Sequence, residues 1–337
     1  MNTHQKVTTE NLPAGNSCGP FARCFFSNMV DYAGLFPPAG LPLEVAVKNF
    51  LKYRESSSSW ILSRFVITAE SFRSLQDDLL AHFSADNPFR ISLLVGDSDS
   101  EIAEVFSLVE RSEGRVLLDM IECRIQEHSN SLDVLRNKHE FLISSHFAEG
   151  LSSIFFELAL HSDWEESMKK VVEEIAARNS ESRLLSGFKL RCGGIQNHLI
   201  PSPESIAITL ETVSAHAVPI KFTAGLHHPF RHAPRSEEGG RTELVHGFFN
   251  VYFAALVAFL RNEPASALVP ILSATVLSAT EDNVELPVFD ASSVSWFGHR
   301  LLFSEIEKAR HELVLSFGSC SFEEPVMDAE NLGWMKQ

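Results

Sequence analysis

The chain has 337 residues, of which 45% are hydrophobic and 21% are charged, and its formal net charge at pH 7 is −16. This length and apolar content suffice for one large domain or for two small ones. The acidic balance, without any run of Lys and Arg residues, argues against nucleic acid and anionic membrane surfaces as partners.

Cysteine spacing and the apolar runs predict where the protein resides. The five cysteines are odd in number and lack the C-x-x-C or Cys/His spacing of zinc sites, so we expect reduced thiols. The amino-terminal segment is polar and has no apolar signal core. The longest apolar run, 247–260, contains Asn250 and is shorter than the ~20 residues that span a bilayer. We therefore predict a cytoplasmic protein without a membrane span.

Short runs of β-branched and aromatic residues alternate with segments of helical periodicity, which is typical of βα units around a parallel sheet. A weak first strand is expected between Phe25 and Phe36. The seven stronger runs begin at Trp60, Arg90, Arg115, Ser153, Gly187, Pro219 and Glu312. Eight strands in this alternation predict an α/β fold, a single (β/α)8 TIM barrel formed by residues 1–337.

The segments between these runs carry apolar residues on one helical face. Helices are predicted at 43–51, 72–83, 102–109 and 164–175. Ser202 followed by Pro203 is a typical N-cap and first-turn pair for a further helix.

The connection between the seventh and eighth strands is much longer than a βα module of about thirty residues requires. We predict an insertion at 230–311 with an apolar helix at 246–260, a second helix at 265–278 and a hairpin through FDASSVSWFGHRL. The apolar helix must either pack against the barrel or form an oligomer interface. A homo-oligomer is therefore an open alternative.

Side-chain alternation places several charged residues inside the predicted barrel. If Phe188 and Leu190 pack against the outer helices, Lys189 and Arg191 point inward. The same parity directs four further side chains inward, those of Arg64, Glu157, Lys221 and Thr223.

The fourth predicted strand contains two acidic residues, Asp119 and Glu122. They are three positions apart and cannot both face inward without a bulge, and of the two we favour Asp119. Buried charges need partners, so the interior holds either structural ion pairs, such as Glu157 with Arg191, or a site for a polar ligand. Barrels place chemistry at the carboxyl ends of strands, where Arg191 and Thr223 lie, and this position favours a ligand site.

Three motifs in the last strands allow comparison with a known family. GFKLRCGG is followed by SPESIAITLETVSAHAVPIKFTAG, and the two strand lysines, Lys189 and Lys221, are 221 − 189 = 32 residues apart. The eighth strand has LSFGSCSF. These motifs resemble the class I deoxyribose-phosphate aldolase family, whose eighth strand leads into a phosphate-binding turn. The resemblance implies that Lys189 forms a Schiff base, that Lys221 lowers the pKa of Lys189, and that Asp119 transfers protons.

Electrostatics is consistent with these roles. Two ammonium groups about 6 Å apart, at an effective dielectric constant of about 20, repel by about 3 kcal/mol, or about two pKa units. Such a shift favours a neutral amine that attacks a carbonyl group, with Asp119 or Glu157 moving protons. Backbone N–H groups and hydroxyls would bind the phosphate, and the candidates are Gly193, Gly194, Gly225, Gly318, Ser319 and Ser321.

The sequence thus predicts a lyase of aldolase type that acts on a small anionic carbonyl compound without a cofactor or metal. The further predicted substrate-binding residues are Arg64, Arg191, Thr223, His227 and His228. One alternative is a metal-dependent lyase or hydrolase that uses Glu157, Asp119 and the two adjacent histidines. Another is a barrel that binds a ligand without converting it.

Overall fold

A computed structural model of the protein describes residues 18–96, 98–125, 130–145, 150–160, 164–194, 196–233, 244–275 and 286–335. The prediction for the polar amino-terminal segment falls outside these ranges, as do residues 276–278 of the predicted helix 265–278. That helix ends earlier than predicted, at Ser273, because the backbone of Ala274 is extended.

Eight parallel strands form a closed barrel, as the strand pattern predicts. They are β1 (Val30–Tyr32), β2 (Leu62–Thr68), β3 (Phe89–Val95), β4 (Val116–Ile125), β5 (Ser153–Leu158), β6 (Leu185–Arg191), β7 (Ile220–Thr223) and β11 (Val314–Ser319). The first seven follow one another around the ring, and β11 closes it between β7 and β1. The (β/α)8 TIM barrel is therefore confirmed.

Helices alternate with these strands and bury apolar side chains against them. Their bounds are α1 (Cys18–Phe26), α2 (Leu43–Arg54), α3 (Ala69–Arg73), α4 (Asp77–Leu80), α5 (Asp99–Arg111), α6 (Ser131–Ser144), α7 (Trp164–Glu181), α8 (Pro203–Ala215), α9 (Phe248–Arg261), α10 (Ala265–Ser273), α11 (Phe303–Glu312) and α12 (Glu323–Asn331). The predicted cap of α8 is confirmed, because the Ser202 hydroxyl accepts a hydrogen bond from the Ser205 backbone N–H at 3.1 Å.

The prediction of one helix at 72–83 is wrong, since this segment belongs to the two short helices α3 and α4. The Thr68 side chain caps α3 by accepting from the Ser71 backbone N–H, so the first helix starts early. The extended backbone of Gln76, with φ −82° and ψ 150°, then interrupts the helical path. Each short helix still buries an apolar residue, Phe72 in α3 and Leu79 in α4. The predicted apolar face is therefore correct, and the predicted continuity of the helix is wrong.

The long connection after β7 contains α9, α10 and a small antiparallel sheet. The strands of this sheet are β8 (Val288–Phe289), β9 (Ser293–Trp296) and β10 (His299–Leu302), which confirms the predicted hairpin. Within α9 the side chains from Phe248 to Ala258 are buried, against α8, α10 and α11 among others. No described helix has both the length and the apolar character needed to cross a membrane.

Helix α9 is a core element of this chain, because its apolar face is covered by the chain itself. The ring of Phe249 lies 4.7 Å from that of Trp334, 5.2 Å from Trp296 and 5.4 Å from Phe25. The buried side chain of Asn250 donates to the carbonyl groups of Ile271 and Ala274 and so ties α9 to α10. Of the two roles expected for this helix, packing within the chain is the one observed.

Truncation of Phe249 to alanine should therefore destabilise the whole fold. We expect Phe249→Ala to lower the free energy of unfolding by about 3–5 kcal/mol, because it leaves a cavity within the aromatic cluster. Urea unfolding followed by circular dichroism measures this loss. Met327→Ala, at a residue that is 57% exposed, is the control and should change stability by less than about 0.5 kcal/mol. Equal effects of the two substitutions would contradict a core role for α9.

Candidate functional site

A cavity of about 560 Å³ opens at the carboxyl ends of the strands, where TIM barrels hold their chemistry. Its floor includes the ends of β4, β5 and β6, and its apolar wall includes Phe36, Pro37 and Pro38 from the loop after β1. Among the described lining residues, the permanent charges are those of Glu122, Arg124, Glu157, Lys189 and Arg191. Three cations therefore face two carboxylates in a chain whose net charge is −16.

The two strand lysines share one carboxylate beneath this cavity. Glu122 Oε2 lies 2.7 Å from Lys189 Nζ, and Glu122 Oε1 lies 2.5 Å from Lys221 Nζ. All three side chains are at least 95% buried. Lys189 and Lys221 are register neighbours on β6 and β7, so both amines come from one level of the barrel.

A second carboxylate pairs with each lysine from the opposite side. Asp31 Oδ2 lies 2.8 Å from Lys221 Nζ and also accepts a hydrogen bond from the Ser316 hydroxyl. Glu157 Oε2 lies 2.7 Å from Lys189 Nζ, while Glu157 Oε1 accepts from Arg191 Nε at 3.0 Å. The described interior is thus a chain of alternating charges in which every lysine has two acidic partners.

This network keeps Lys189 protonated. Burial by itself would lower the pKa of Lys189, but Glu122 and Glu157 raise the pKa above the ordinary lysine value. Burial likewise opposes the ionisation of Glu122, yet Lys189 and Lys221 hold its pKa well below the usual range. The expected lowering of the Lys189 pKa is therefore wrong, because the carboxylate of Glu122 stands between the two ammonium groups.

A bulge in β4 brings both of its acidic residues into the interior. Ile91 of β3 pairs with Leu118, whereas the next residue, Ser92, pairs with Met120, so Asp119 is an extra residue in β4. The choice of Asp119 alone as the inward carboxylate is therefore wrong. The side chain that reaches the lysines is that of Glu122, although the alternation of side chains led us to favour Asp119.

Asp119 and Arg64 pair with each other away from the cavity. Arg64 Nε donates to Asp119 Oδ1 at 2.7 Å, and Arg90 Nε donates to Asp119 Oδ2 at 2.7 Å. Arg64 and Arg90 line a separate cavity at the amino ends of the strands. The side chain of Arg64 points inward, as predicted. Neither Arg64 nor Asp119, however, is among the described residues that line the cavity at the carboxyl ends of the strands.

Of the predicted phosphate-binding residues, Gly194, Gly225 and Gly318 line the cavity. Gly225 has φ +75°, and a Cβ atom built on Gly193 would lie only 2.8 Å from Gly225 Cα. This close approach of the loops after β6 and β7 accounts for both glycines without a ligand. In the turn after β11, the Ser319 hydroxyl donates to the Ser321 carbonyl, and the Ser321 hydroxyl accepts from the Glu324 N–H. Phosphate binding stays a prediction.

The two adjacent histidines diverge in the loop after β7. His227 lines the cavity, with Nδ1 2.8 Å from Glu324 Oε2 and Nε2 3.7 Å from the sulfur of Cys320. His228 instead places Nδ1 2.6 Å from Asp328 Oδ2 and is not among the described lining residues. Thr223, predicted from strand parity, does line the cavity.

The surroundings of His227 favour its imidazolium form. Burial by itself would lower the pKa of His227, but the hydrogen bonds with Cys320 and Glu324 raise it to about 10. The same pair holds the pKa of Glu324 down at about 2. Sequence reasoning missed Cys320 and Glu324, and the signal that could have found Cys320 is its position directly after the last barrel strand.

The metal alternative finds no support in the described part of the chain. Within it, no three His, Cys, Asp or Glu side chains are grouped so that they could hold a metal ion. The chain matches no protein-family model and no curated protein. The resemblance to the deoxyribose-phosphate aldolase family therefore remains a prediction from three short motifs.

The raised pKa of His227 predicts a loss of stability in mild alkali. A group with a folded pKa of about 10 and an unfolded pKa of about 6.5 contributes stability that is complete below about pH 6.5 and disappears as the pH rises through about 10. Between these limits, the wild-type protein should lose more unfolding free energy than His227→Asn does. Urea unfolding at a series of pH values measures the difference. Parallel curves for the wild type and His227→Asn would contradict the assignment.

Proposed function

We propose that the protein is an enzyme that acts on a small anionic carbonyl compound bound in the cavity at the carboxyl end of the barrel. The observation that carries this proposal is the excess of cations in that cavity, despite the acidic character of the whole chain. Lys189 and the Arg191 side chain, which is 21% exposed, provide hydrogen-bond donors for a carbonyl oxygen and a carboxylate or phosphate.

The geometry best supports proton transfer next to the carbonyl group, with Lys189 as an electrostatic stabiliser. Two N–H groups of its ammonium are directed to Glu122 and Glu157, and the third can bind the carbonyl oxygen of a substrate. As a proton leaves the neighbouring carbon, negative charge develops on that oxygen, and a buried ammonium stabilises it. The raised pKa of Lys189 suits this role, because the cation persists throughout the neutral range.

Glu157 is the base in this scheme, and substrate binding itself strengthens it. Glu157 is buried, but Lys189 and Arg191 lower its pKa, so the carboxylate is a weak base in the empty site. A substrate anion that binds Arg191 competes for the guanidinium and partly removes one of these two influences. The basicity of Glu157 then rises when a substrate is present.

A second candidate is the Schiff-base lyase that the aldolase resemblance implies. Its support is the position of Lys189 on β6, where the amine lines the cavity at the carboxyl end of the barrel. An imine on Lys189 would act as an electron sink for the cleavage of a neighbouring carbon–carbon bond. Because the pKa of Lys189 is raised, this route requires transfer of the ammonium proton before attack, and its rate should increase with pH.

Borohydride trapping separates the two routes. In a panel of small keto acids, aldehyde acids and sugar phosphates, imine formation should give a borohydride-dependent mass increase that peptide mapping locates at Lys189, more strongly at higher pH. Non-covalent proton transfer should instead give exchange of the substrate's hydrogens in D2O, followed by NMR, without an adduct. Lys189→Met should abolish either signal.

The matched control for this experiment is Lys138→Met. Lys138 is also a buried lysine, and its ammonium lies 2.6 Å from Asp99, but it is not among the described residues that line the cavity. Its substitution should leave both signals in place. A panel that yields neither adduct nor exchange would contradict an enzymatic function and favour a barrel that only binds its ligand.

Loss of the Arg191 guanidinium should weaken the binding of anions. We expect Arg191→Met to raise the dissociation constant for oxalate about 10- to 100-fold, because a hydrogen bond to a charged group contributes about 1.5–3 kcal/mol. Isothermal titration calorimetry measures this change. Arg136→Met removes an arginine that pairs with Glu174 outside the cavity and should bind oxalate like the wild type. Unchanged affinity in Arg191→Met would exclude Arg191 as the anion site.

A further inference from the structure

A cysteine, a histidine and a glutamate meet at the wall of the cavity at the carboxyl ends of the strands, and none of them takes part in the proton transfer described above. Cys320 directly follows β11, His227 lies in the loop after β7, and Glu324 lies in the first turn of α12. Cys320 Sγ is 3.7 Å from His227 Nε2, and His227 Nδ1 is 2.8 Å from Glu324 Oε2. Both Cys320 and His227 line the cavity.

We propose that Cys320 is a second nucleophile of this cavity, a thiolate paired with the imidazolium of His227, and that it adds to the carbonyl carbon of a small anionic aldehyde. The arrangement follows the logic of catalytic triads, in which a nucleophile contacts a histidine and a third group orients that histidine through its other nitrogen. Glu324 is the orienting group, a positioning residue that acts through His227.

The chemical step balances without a further reactant. The thiolate sulfur forms a bond to the carbonyl carbon, and the π pair of the C=O bond moves onto the oxygen. That oxygen takes the proton of His227 Nε2, which leaves a thiohemiacetal and a neutral imidazole. The nature of the electrophile rests on the proposed function, whereas the ion pair rests on the geometry of the three side chains alone.

Exposure distinguishes Cys320 from the other described thiols. Cys24, Cys123 and Cys192 are buried, while Cys320 is partly exposed. Burial raises the pKa of Cys24 to about 12 and also raises that of Cys192, which keeps both in the inert thiol form. Cys320 therefore combines access from the cavity with a histidine partner.

The other titratable groups around the pair are few in the described structure. His228 and Ser321 act on Glu324 in addition to His227. Burial raises the pKa of the Tyr32 phenol on β1, and the nearby Cys320 and Glu323 raise it further, so Tyr32 stays neutral. The exposed Glu323 is paired with Lys52 at 2.9 Å. Among the described residues, the imidazolium of His227 is thus the cation in contact with the sulfur.

Alkylation by iodoacetamide tests the ion pair in the wild-type protein without any substrate. At pH values below its pKa of about 8.5, an ordinary thiol reacts roughly tenfold faster for each unit that the pH rises, because only the thiolate is alkylated. We expect the rate at Cys320, followed by mass spectrometry with peptide mapping, to be nearly constant between about pH 6 and pH 8. A tenfold rise per pH unit would overturn the proposal.

Variants of His227 and Glu324 test whether these two residues determine the alkylation rate of Cys320. At about pH 6, His227→Asn should slow the alkylation of Cys320 at least tenfold, even allowing for the lower nucleophilicity of a stabilised thiolate. Glu324→Gln should slow it less. His311→Asn is the matched control, since His311 lies on α11 and lines the cavity at the amino ends of the strands, and it should react like the wild type. Thermal unfolding verifies that each variant is folded. Equal rates in His227→Asn and the wild type would also overturn the ion pair.

Comparison of two reagents separates this inference from the proposed function. Iodoacetate carries the negative charge expected of the substrate, and iodoacetamide does not. Relative to free glutathione, Cys320 should prefer iodoacetate several-fold because of the cations in the cavity. Absence of this preference together with a flat pH profile would contradict the anionic substrate and leave the thiolate supported. A preference for iodoacetate with an ordinary pH profile would support the anionic site and overturn the thiolate.

Discussion

The carboxylate of Glu122 is the constraint on which the interior of this barrel depends. It is buried between two ammonium groups that neighbouring strands place at one level, and it binds one of them with each oxygen. Without it, Lys189 and Lys221 would repel each other in a region where an unpaired charge costs several kcal/mol. Asp31 and Glu157 complete the pairing from the outer sides, and Arg191, which pairs with Glu157, supplies the third cation that balances these three carboxylates.

The pairing continues along the barrel and divides its interior into two halves. Asp31 also accepts a hydrogen bond from the backbone N–H of Arg64, whose guanidinium binds Asp119. In the amino-terminal half, Arg64 and Arg90 are thus held by Asp119. In the carboxyl-terminal half, the two lysines and Arg191 Nε bind all four carboxylate oxygens of Glu122 and Glu157. The cations that remain for a ligand are therefore at the cavity, although the chain as a whole is strongly acidic.

The cavity combines a fixed floor with reactive groups that loops supply. The floor side chains belong to strands whose register fixes their positions, and their ion pairs resist rearrangement. His227, Cys320 and Glu324 come from the segments that follow β7 and β11, where barrels vary without loss of the scaffold. An ammonium at the floor and a thiol at the wall give one bound carbonyl compound two chemically different partners.

Local periodicity in the sequence determined the eight strands, the inward parity of Lys189, Lys221 and Glu157, and the long apolar helix α9, because these features depend only on neighbours along the chain. Tertiary structure decided which charges meet. One extra residue at Asp119 changes the register of β4 and delivers Glu122 to the lysines, and this contact reverses the expected sign of the Lys189 pKa shift. The contact of His227 with Cys320, 93 residues away, likewise exists only once the ring of strands has closed, since a pKa depends on distances across the barrel that strand periodicity does not encode.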